Sequence, residues 1–591
     1  MSHPPEVRPH AQGGAGAALP RRRVLQLSGV ATVGAALPAL GGVSAQASSS
    51  VRTVDVDTRV VTGAFNRALF SCTGYAQLKL DGSALALDSY RQLNPVGTQA
   101  RIEVMMNQAS PARGEFRPDQ MLRFVDNTGD AYVNHVDGLG MEPVLLCAYN
   151  TGWLTQTGAL NEAPTDPRAW ADIVANVVSH FNGEGTDPDY RLRVRYVEVW
   201  NEPNLEQFWL GSDEEYFELF RITADLIHAR FPGVLVGGPV FSPGIEGYYD
   251  YGKAFIDAAG EHMDFFVYHS YGDTPAKVVA DLRLWESYIR DHTTKADPKL
   301  MVTESESFFD SAALKVQDLL GRQFSLIENS GHLLGWHQFT LLEYREGTYT
   351  FGLVRRDGSV FDRNYWPYWL FRDVRGETLR VWTQGARSRG EHVVATRDED
   401  GRGVSVVYWR DPALADGSQP TRFTMELPGD GRDRILVVSM VSGTSGQVVA
   451  ARRVDGHAGL LTETVRLAPG VAVAHTLVDA GDARVPWLGL AASAPSVTVG
   501  STFTATARLV NTTPAAVSGV VRLIGLPGDW QVRLVSGAKE FADLETGGVA
   551  SAAWEISATS AATDIAYHAD VQVTGADATH SIPLRINATA S

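Results

Sequence analysis

Three stretches of the 591-residue chain end an apolar run on groups that can move protons or attack carbon. "YVEVWNEP" ends on Asn201 and Glu202, "LMVTESES" on Thr303 and Glu304, and "FFVYHSYG" on His269 and Tyr271. Desolvating a carboxylate at the mouth of a buried strand is costly, so each acid needs a reason to be there. Burial in a partly apolar mouth raises a carboxyl's pKa, which suits a proton donor. A second carboxylate facing it could attack carbon or activate water. Together they are the equipment for breaking a glycosidic acetal.

Such a pair must be brought together by the fold. From about residue 63 to 375, short apolar runs alternate with amphipathic helical patterns, the signature of a parallel sheet with crossover helices. Eight runs can be read: "GAFNRALFSC", "QARIEVMM", "MEPVLLCAY", "RVRYVEVW", "VLVGGPV", "MDFFVYHS", "KLMVTES" and "LLGWHQFTLL". Eight β/α units predict an α/β fold, a closed (β/α)8 TIM barrel whose reactive groups gather at the C-terminal strand ends. An open doubly wound sheet fits less well, because no GxGxxG follows the first strand and no P-loop occurs. In "SDEEYFELFRITADLIHARFPG", Ser212 and Glu215 form a capping box. Phe217, Phe220, Ala224 and Ile227 make one face, and Pro232-Gly233 ends the helix.

The barrel reading ranks the neighbours. Glu198 points the same way as Glu202 but deeper, as a core carboxylate. Glu306 lies a strand step beyond Glu304, in the loop. Arg101, on the second strand, is a partner for Glu198 or Glu304, and would keep a nucleophile ionised. Tyr149, Trp153, Trp209, Phe308 and Trp336 are placed where aromatic faces could stack on sugar rings, Trp336 foremost. Glu343 suits a substrate hydrogen bond. No metal spacing such as CxxC or HExxH appears, so no metal or cofactor is expected.

Outside the barrel the texture changes. Residues 1–47 read as a leader: Arg21 and Arg22 resemble a twin-arginine export signal, an apolar run follows, and "AQA" offers a cleavage site, which places the protein in a periplasmic or extracellular compartment. The barrel is expected over 60–377 and a β-sandwich over 378–480. A linker follows at 481–486, then an immunoglobulin-like β domain over 487–591. With 44% hydrophobic and 20% charged residues the chain is a folded one, and its charge of −17 disfavours nucleic acid and anionic membranes as partners. No later segment reaches the roughly 18 apolar residues of a membrane span. Cys72 and Cys147 read as buried small hydrophobes. Nothing in the sequence sets an oligomeric state.

"WNEP" closing the fourth strand, a glutamate closing the seventh, "HSYG" closing the sixth and "FGLVRRDG" before an aromatic helix together resemble glycoside hydrolase family 39, over roughly residues 60–480. That family holds β-xylosidases and α-L-iduronidases of clan A. The resemblance implies a secreted retaining glycosidase acting on β-xylosides or related pentose glycans. In it, Glu202 matches the acid/base and Glu304 the nucleophile. Asn201 matches the asparagine that holds the sugar 2-hydroxyl, and His269 and Tyr271 match residues beside the nucleophile. α-L-Arabinofuranosides, α-L-iduronides and exopolysaccharides are alternative substrates. A carbohydrate-binding protein without turnover is the reading from another class. Two departures touch sugar choice: "RIEVMM" lacks the xylosidases' histidine soon after the arginine, and "TESES" lacks an aromatic or Asn after the glutamate.

Overall fold

The computed structural model describes residues 51–73, 84–121, 129–243, 247–309, 311–343, 351–384, 390–414, 417–427, 430–482, 485–574 and 579–590. The leader expected over 1–47 lies outside them. Among the described residues, nine strands precede residue 340 in chain order: β1 (Arg52–Ala64), β2 (Ser71–Thr73), β3 (Gln99–Met105), β4 (Glu142–Ala148), β5 (Tyr196–Val199), β6 (Leu235–Phe241), β7 (Phe265–Tyr271), β8 (Leu300–Glu306) and β9 (Leu333–Gln338). Strands β2 to β9 pair in that order, each parallel to the next, and β9 returns to β2 through Ser71–His337 and Cys72–Gln338 to close the barrel. The eight-strand expectation holds.

The helices form where the sequence supplies caps. Asp166 accepts from the Ala169 amide at 3.0 Å ahead of the helix Pro167–Asn182, and Thr274 accepts from Lys277 at 3.3 Å ahead of Pro275–His292. Each helix opens with proline, whose missing N–H costs nothing at that position. The Ser212–Glu215 box caps Asp213–Arg230, and Phe217, Phe220, Ala224 and Ile227 are buried beneath it. No helix among the described residues is long and apolar enough to cross a membrane. Cys72 and Cys147 are free and buried.

Two expectations need correction. "GAFNRALFSC" is not one strand: the Asn66 side chain accepts from the Ala68 amide at 3.0 Å and caps a 3-10 turn over Arg67–Phe70, so barrel pairing begins only at Ser71. The second β layer also extends beyond 378–480. Strand β1 joins its nine-stranded sheet, antiparallel to Glu377–Gln384 and parallel to Gln419–Glu426, with Val54 and Val56 in the core beside Phe423, Met425 and Leu477. Alternating apolar residues in "RTVDVDTR" carried this signal.

The sandwich packs against the barrel's helix layer. Trp409 stacks on Phe324 of the helix Ala312–Asn329 (6.0 Å between centroids, 9° between planes), and its indole N–H donates to Gln317 at 2.9 Å. Residues beyond 486 build two further sheets, of four and six strands among the described residues, around Phe503, Trp530, Trp554 and Tyr567. Arg508 of that module donates to the Val448 carbonyl at 2.5 Å and ties it to the sandwich.

Candidate active site

The chain leaves β5 through unusual backbone. Trp200 and Glu202 have φ of +70° and +47°, and Val240 at the end of β6 has φ of +58°. Left-handed geometry is unfavourable for bulky and β-branched residues, and it persists only where surroundings over-determine it. Here they do. The Glu202 amide donates to the Val240 carbonyl at 2.9 Å, and the Trp200 amide to Cys147 at 2.8 Å. The Trp200 indole donates to Phe208 at 2.9 Å, while Asn204 and Ser242 exchange hydrogen bonds at 2.8 and 3.0 Å. The Glu202 carboxylate is thereby aimed by two strand ends bolted together.

Across the mouth, β8 delivers Glu304. Arg101 of β3 reaches three acceptors: Nε to Glu198 at 2.7 Å, Nη1 to Glu304 at 2.6 Å and Nη2 to the Asn201 side-chain carbonyl at 3.1 Å. The two readings of Arg101 are thus both realised, and Glu198 is fully buried as its deep partner. The Tyr271 hydroxyl donates to the other oxygen of Glu304 at 2.5 Å. His269 Nδ1 lies 2.7 Å from Glu202 Oε1 and 3.7 Å from Glu304 Oε2. One atom from each of Glu202, His269 and Glu304 falls within 4.8 Å of the other two.

Opposing influences act on the charge of Glu304. Burial alone would push the Glu304 carboxyl up. The charges of His269 and Arg101, with hydrogen bonds from Tyr271 and Arg101, outweigh it and hold the group below its usual value. Burial, aided by the charges of Glu304 and Glu202, holds the Tyr271 hydroxyl protonated as a donor. The Glu202 carboxylate meets the imidazole of His269. Two carboxylates and an imidazole could also ligate a cation. Here, though, both Glu304 oxygens are taken by Arg101 and Tyr271, and the guanidinium already supplies the positive charge.

Of the residues expected from sequence, Asn201, Glu202, His269, Tyr271, Arg101 and Glu304 converge. Trp336 does not: it is 1% exposed, packed in the core and overlain by the Arg322 guanidinium at 5.9 Å, because its place on β9 turns it toward the helix layer. Trp209 is likewise buried, edge-on to Trp200 at 4.8 Å. Glu343 lies in a short strand after β9, and its side chain is outside the described residues. Aromatic side chains instead flank the acids on two sides. Tyr149 takes a long hydrogen bond from Asn201 (3.5 Å) and stacks with Phe208 at 6.0 Å. Tyr271 stacks with Phe308 at 6.0 Å and meets Phe339 edge-on at 6.2 Å. Phe339 escaped the sequence reading; its signal was an aromatic directly after the apolar run that became β9.

Comparison with known proteins adds to this geometry. Residues 55–289 match the sequence pattern of Glycosyl hydrolases family 39. The match holds Arg101, Asn201, Glu202, His269 and Tyr271, whereas Glu304 lies beyond it. A β-xylosidase from Geobacillus stearothermophilus is 29% identical over 164 residues, which is 27% of this chain and 32% of the relative. The match thus spans about a third of that relative's length. A family 39 enzyme from Xanthomonas axonopodis pv. citri superposes with a TM-score of 0.55 at 19% identity, covering 73% of this chain and 97% of the other. A glucosidase from Croceicoccus marinus gives 0.57 at 15%, covering 72% and 99%. At these identities the two likenesses show a shared fold over nearly three quarters of this chain.

Proposed function

We propose that the protein is a retaining glycosidase acting on β-xylosides or related pentose-containing glycans. The observation that carries this reading is the approach of Glu202 and Glu304 oxygens to within 4.8 Å across the barrel mouth. A separation near ~5–5.5 Å suits direct attack on the anomeric carbon, whereas a water-mediated inversion needs ~6.5–9.5 Å. The sugar follows the β-xylosidase likeness of the matched segment.

In the first half-reaction a Glu304 oxygen bonds to the anomeric carbon while the bond to the leaving oxygen breaks. Glu202 gives that oxygen its proton. In the second, Glu202 takes a proton from water, the water oxygen bonds to the anomeric carbon, and the ester to Glu304 breaks. Glu304 must be ionised at the start, which the hydrogen bonds from Arg101 and Tyr271 favour. Glu202 must change protonation state twice per turnover. His269 can serve both states, since an imidazole nitrogen donates to a carboxylate or accepts from a carboxylic acid according to its tautomer. Asn201, held by Arg101, is set beside the acid to bind a sugar hydroxyl.

Export through the arginine-led segment at 1–47 belongs to the same reading, supported by Arg21, Arg22 and the following apolar run. The test is hydrolysis of a panel of aryl glycosides, xyloside included, by the wild type, Glu202→Gln and Glu304→Gln. Turnover by the wild type and a loss of at least about 10²–10⁴-fold in each variant are expected. Binding of sugar without turnover by the wild type would make it a lectin-like barrel instead.

A further inference from the structure

Phe308 has a large apolar ring in solvent, 54% exposed, two residues past the end of β8 and stacked on the tyrosine that holds Glu304. An exposed ring on a loose loop would need no explanation. This one is held firmly. The Ser307 amide donates to Glu306 at 2.6 Å, and the Ser307 hydroxyl to Asp318 at 2.7 Å. Both acids are buried and each has its own cation: Lys315 lies 2.7 Å from Glu306, and Arg322 3.2 Å from Asp318. Gln338 donates to the second oxygen of Glu306 at 2.7 Å.

The ring's seat is shaped for it. Gly272 follows Tyr271 with φ of +71°, and a Cβ there would lie 2.9 Å from Phe308 Cδ2. Only glycine combines that backbone with that clearance. Behind Phe308 the aromatic surface continues: Phe351 lies 6.0 Å from Phe308 and 6.1 Å from Phe339. Two charge pairs removed from water, a positive-φ glycine and four aromatic rings thus present one ring face beside the reacting carboxylates. The faces of a pyranose are lined by C–H groups, and a flat ring held in place can cover one at little entropic cost.

We propose that Phe308 is the floor of a second sugar subsite, seating the unit that adjoins the one held between Glu202 and Glu304, so that the preferred substrate is a chain of at least two sugar rings. This rests on the glycosidase reading and deepens it. The test compares kcat/KM for methyl β-D-xyloside, xylobiose and xylotriose in the wild type, Phe308→Ala, Phe308→Tyr and Gly272→Ala. The wild type should favour the better oligosaccharide over the methyl glycoside. Phe308→Ala should cut that ratio about ten-fold, Phe308→Tyr should keep it, and Gly272→Ala should lower it by displacing the ring. A Phe308→Ala enzyme with an unchanged ratio overturns the inference, as does a wild type that cleaves aryl glycosides but neither oligosaccharide; both leave the glycosidase reading standing. A wild type that cleaves no glycoside at all removes that reading and this one with it.

Discussion

Glu202 and Glu304 come from strands β5 and β8, yet their carboxylate oxygens approach within 4.8 Å while their surroundings differ sharply. Glu304 is bracketed by a guanidinium and a phenol; Glu202 meets an imidazole. The first set favours the charged form of Glu304, which the proposed nucleophile of a two-step displacement requires.

The role of Glu202 predicts a dependence on the leaving group. Glu202→Gln should lose little on 2,4-dinitrophenyl glycosides, whose phenolate departs without a proton. On methyl glycosides the loss should reach about 10²–10⁴-fold. Steady-state kcat/KM across leaving groups of rising pKa checks this. An equal loss on all of them would show that Glu202 is not the proton donor.

The role of Tyr271 predicts a pH effect. Its hydroxyl is one of the groups holding the Glu304 carboxyl below the usual 4.5. A depressed carboxylate contributes stability that is complete above the unfolded value and is lost as pH falls through the folded one. Removing the donor in Tyr271→Phe raises the folded value, so the acid limb of the kcat/KM profile should move to higher pH. A limb that stays in place or moves lower contradicts the assignment.

Beneath Phe308, burial pushes Glu306 up to about 7 even though Lys315 pulls it down. Lys315→Met strands the carboxylate without its cation and should cost about 3–5 kcal/mol, measured by denaturant unfolding. A carboxyl raised in the folded state favours folding at low pH and loses that contribution as pH climbs through its folded value. The cost should therefore be larger at pH 8 than at pH 5. The double variant Glu306→Gln/Lys315→Met should recover most of it. Equal costs at both pH values would mean that Glu306 is not the group left uncompensated.

Trp336 serves as a contrast with Phe308. As a core ring under Arg322 it should cost about 3–5 kcal/mol of stability when truncated to alanine. The oligosaccharide preference should be untouched in Trp336→Phe. A selective loss of that preference would return Trp336 to the sugar-binding surface.

Much of this arrangement was legible in the chain. Alternation of apolar runs and capped helices gave the barrel, and acids at run ends gave Glu202 and Glu304, because strand ends and caps are local signals. Arg101 could be narrowed to two partners but not shown to hold both, since that depends on how far a side chain reaches across a closed barrel. Trp336 was misplaced because a run without alternation carries no sign of which face points inward; on β9 both Trp336 and His337 are buried. Strand β1 was missed as a sandwich strand because its partners lie more than three hundred residues away. The left-handed turn at Glu202 has no glycine to announce it. It exists because β5 and β6 are tied together, a relation that no local pattern contains.

The most direct test of the central claim is the anomeric configuration of the first-released sugar, followed by proton NMR during hydrolysis of an aryl β-xyloside. Retention of the β configuration, with slow mutarotation afterwards, is the predicted result. First appearance of the α anomer would mean that a water molecule attacks directly, and that Glu304 is not the nucleophile.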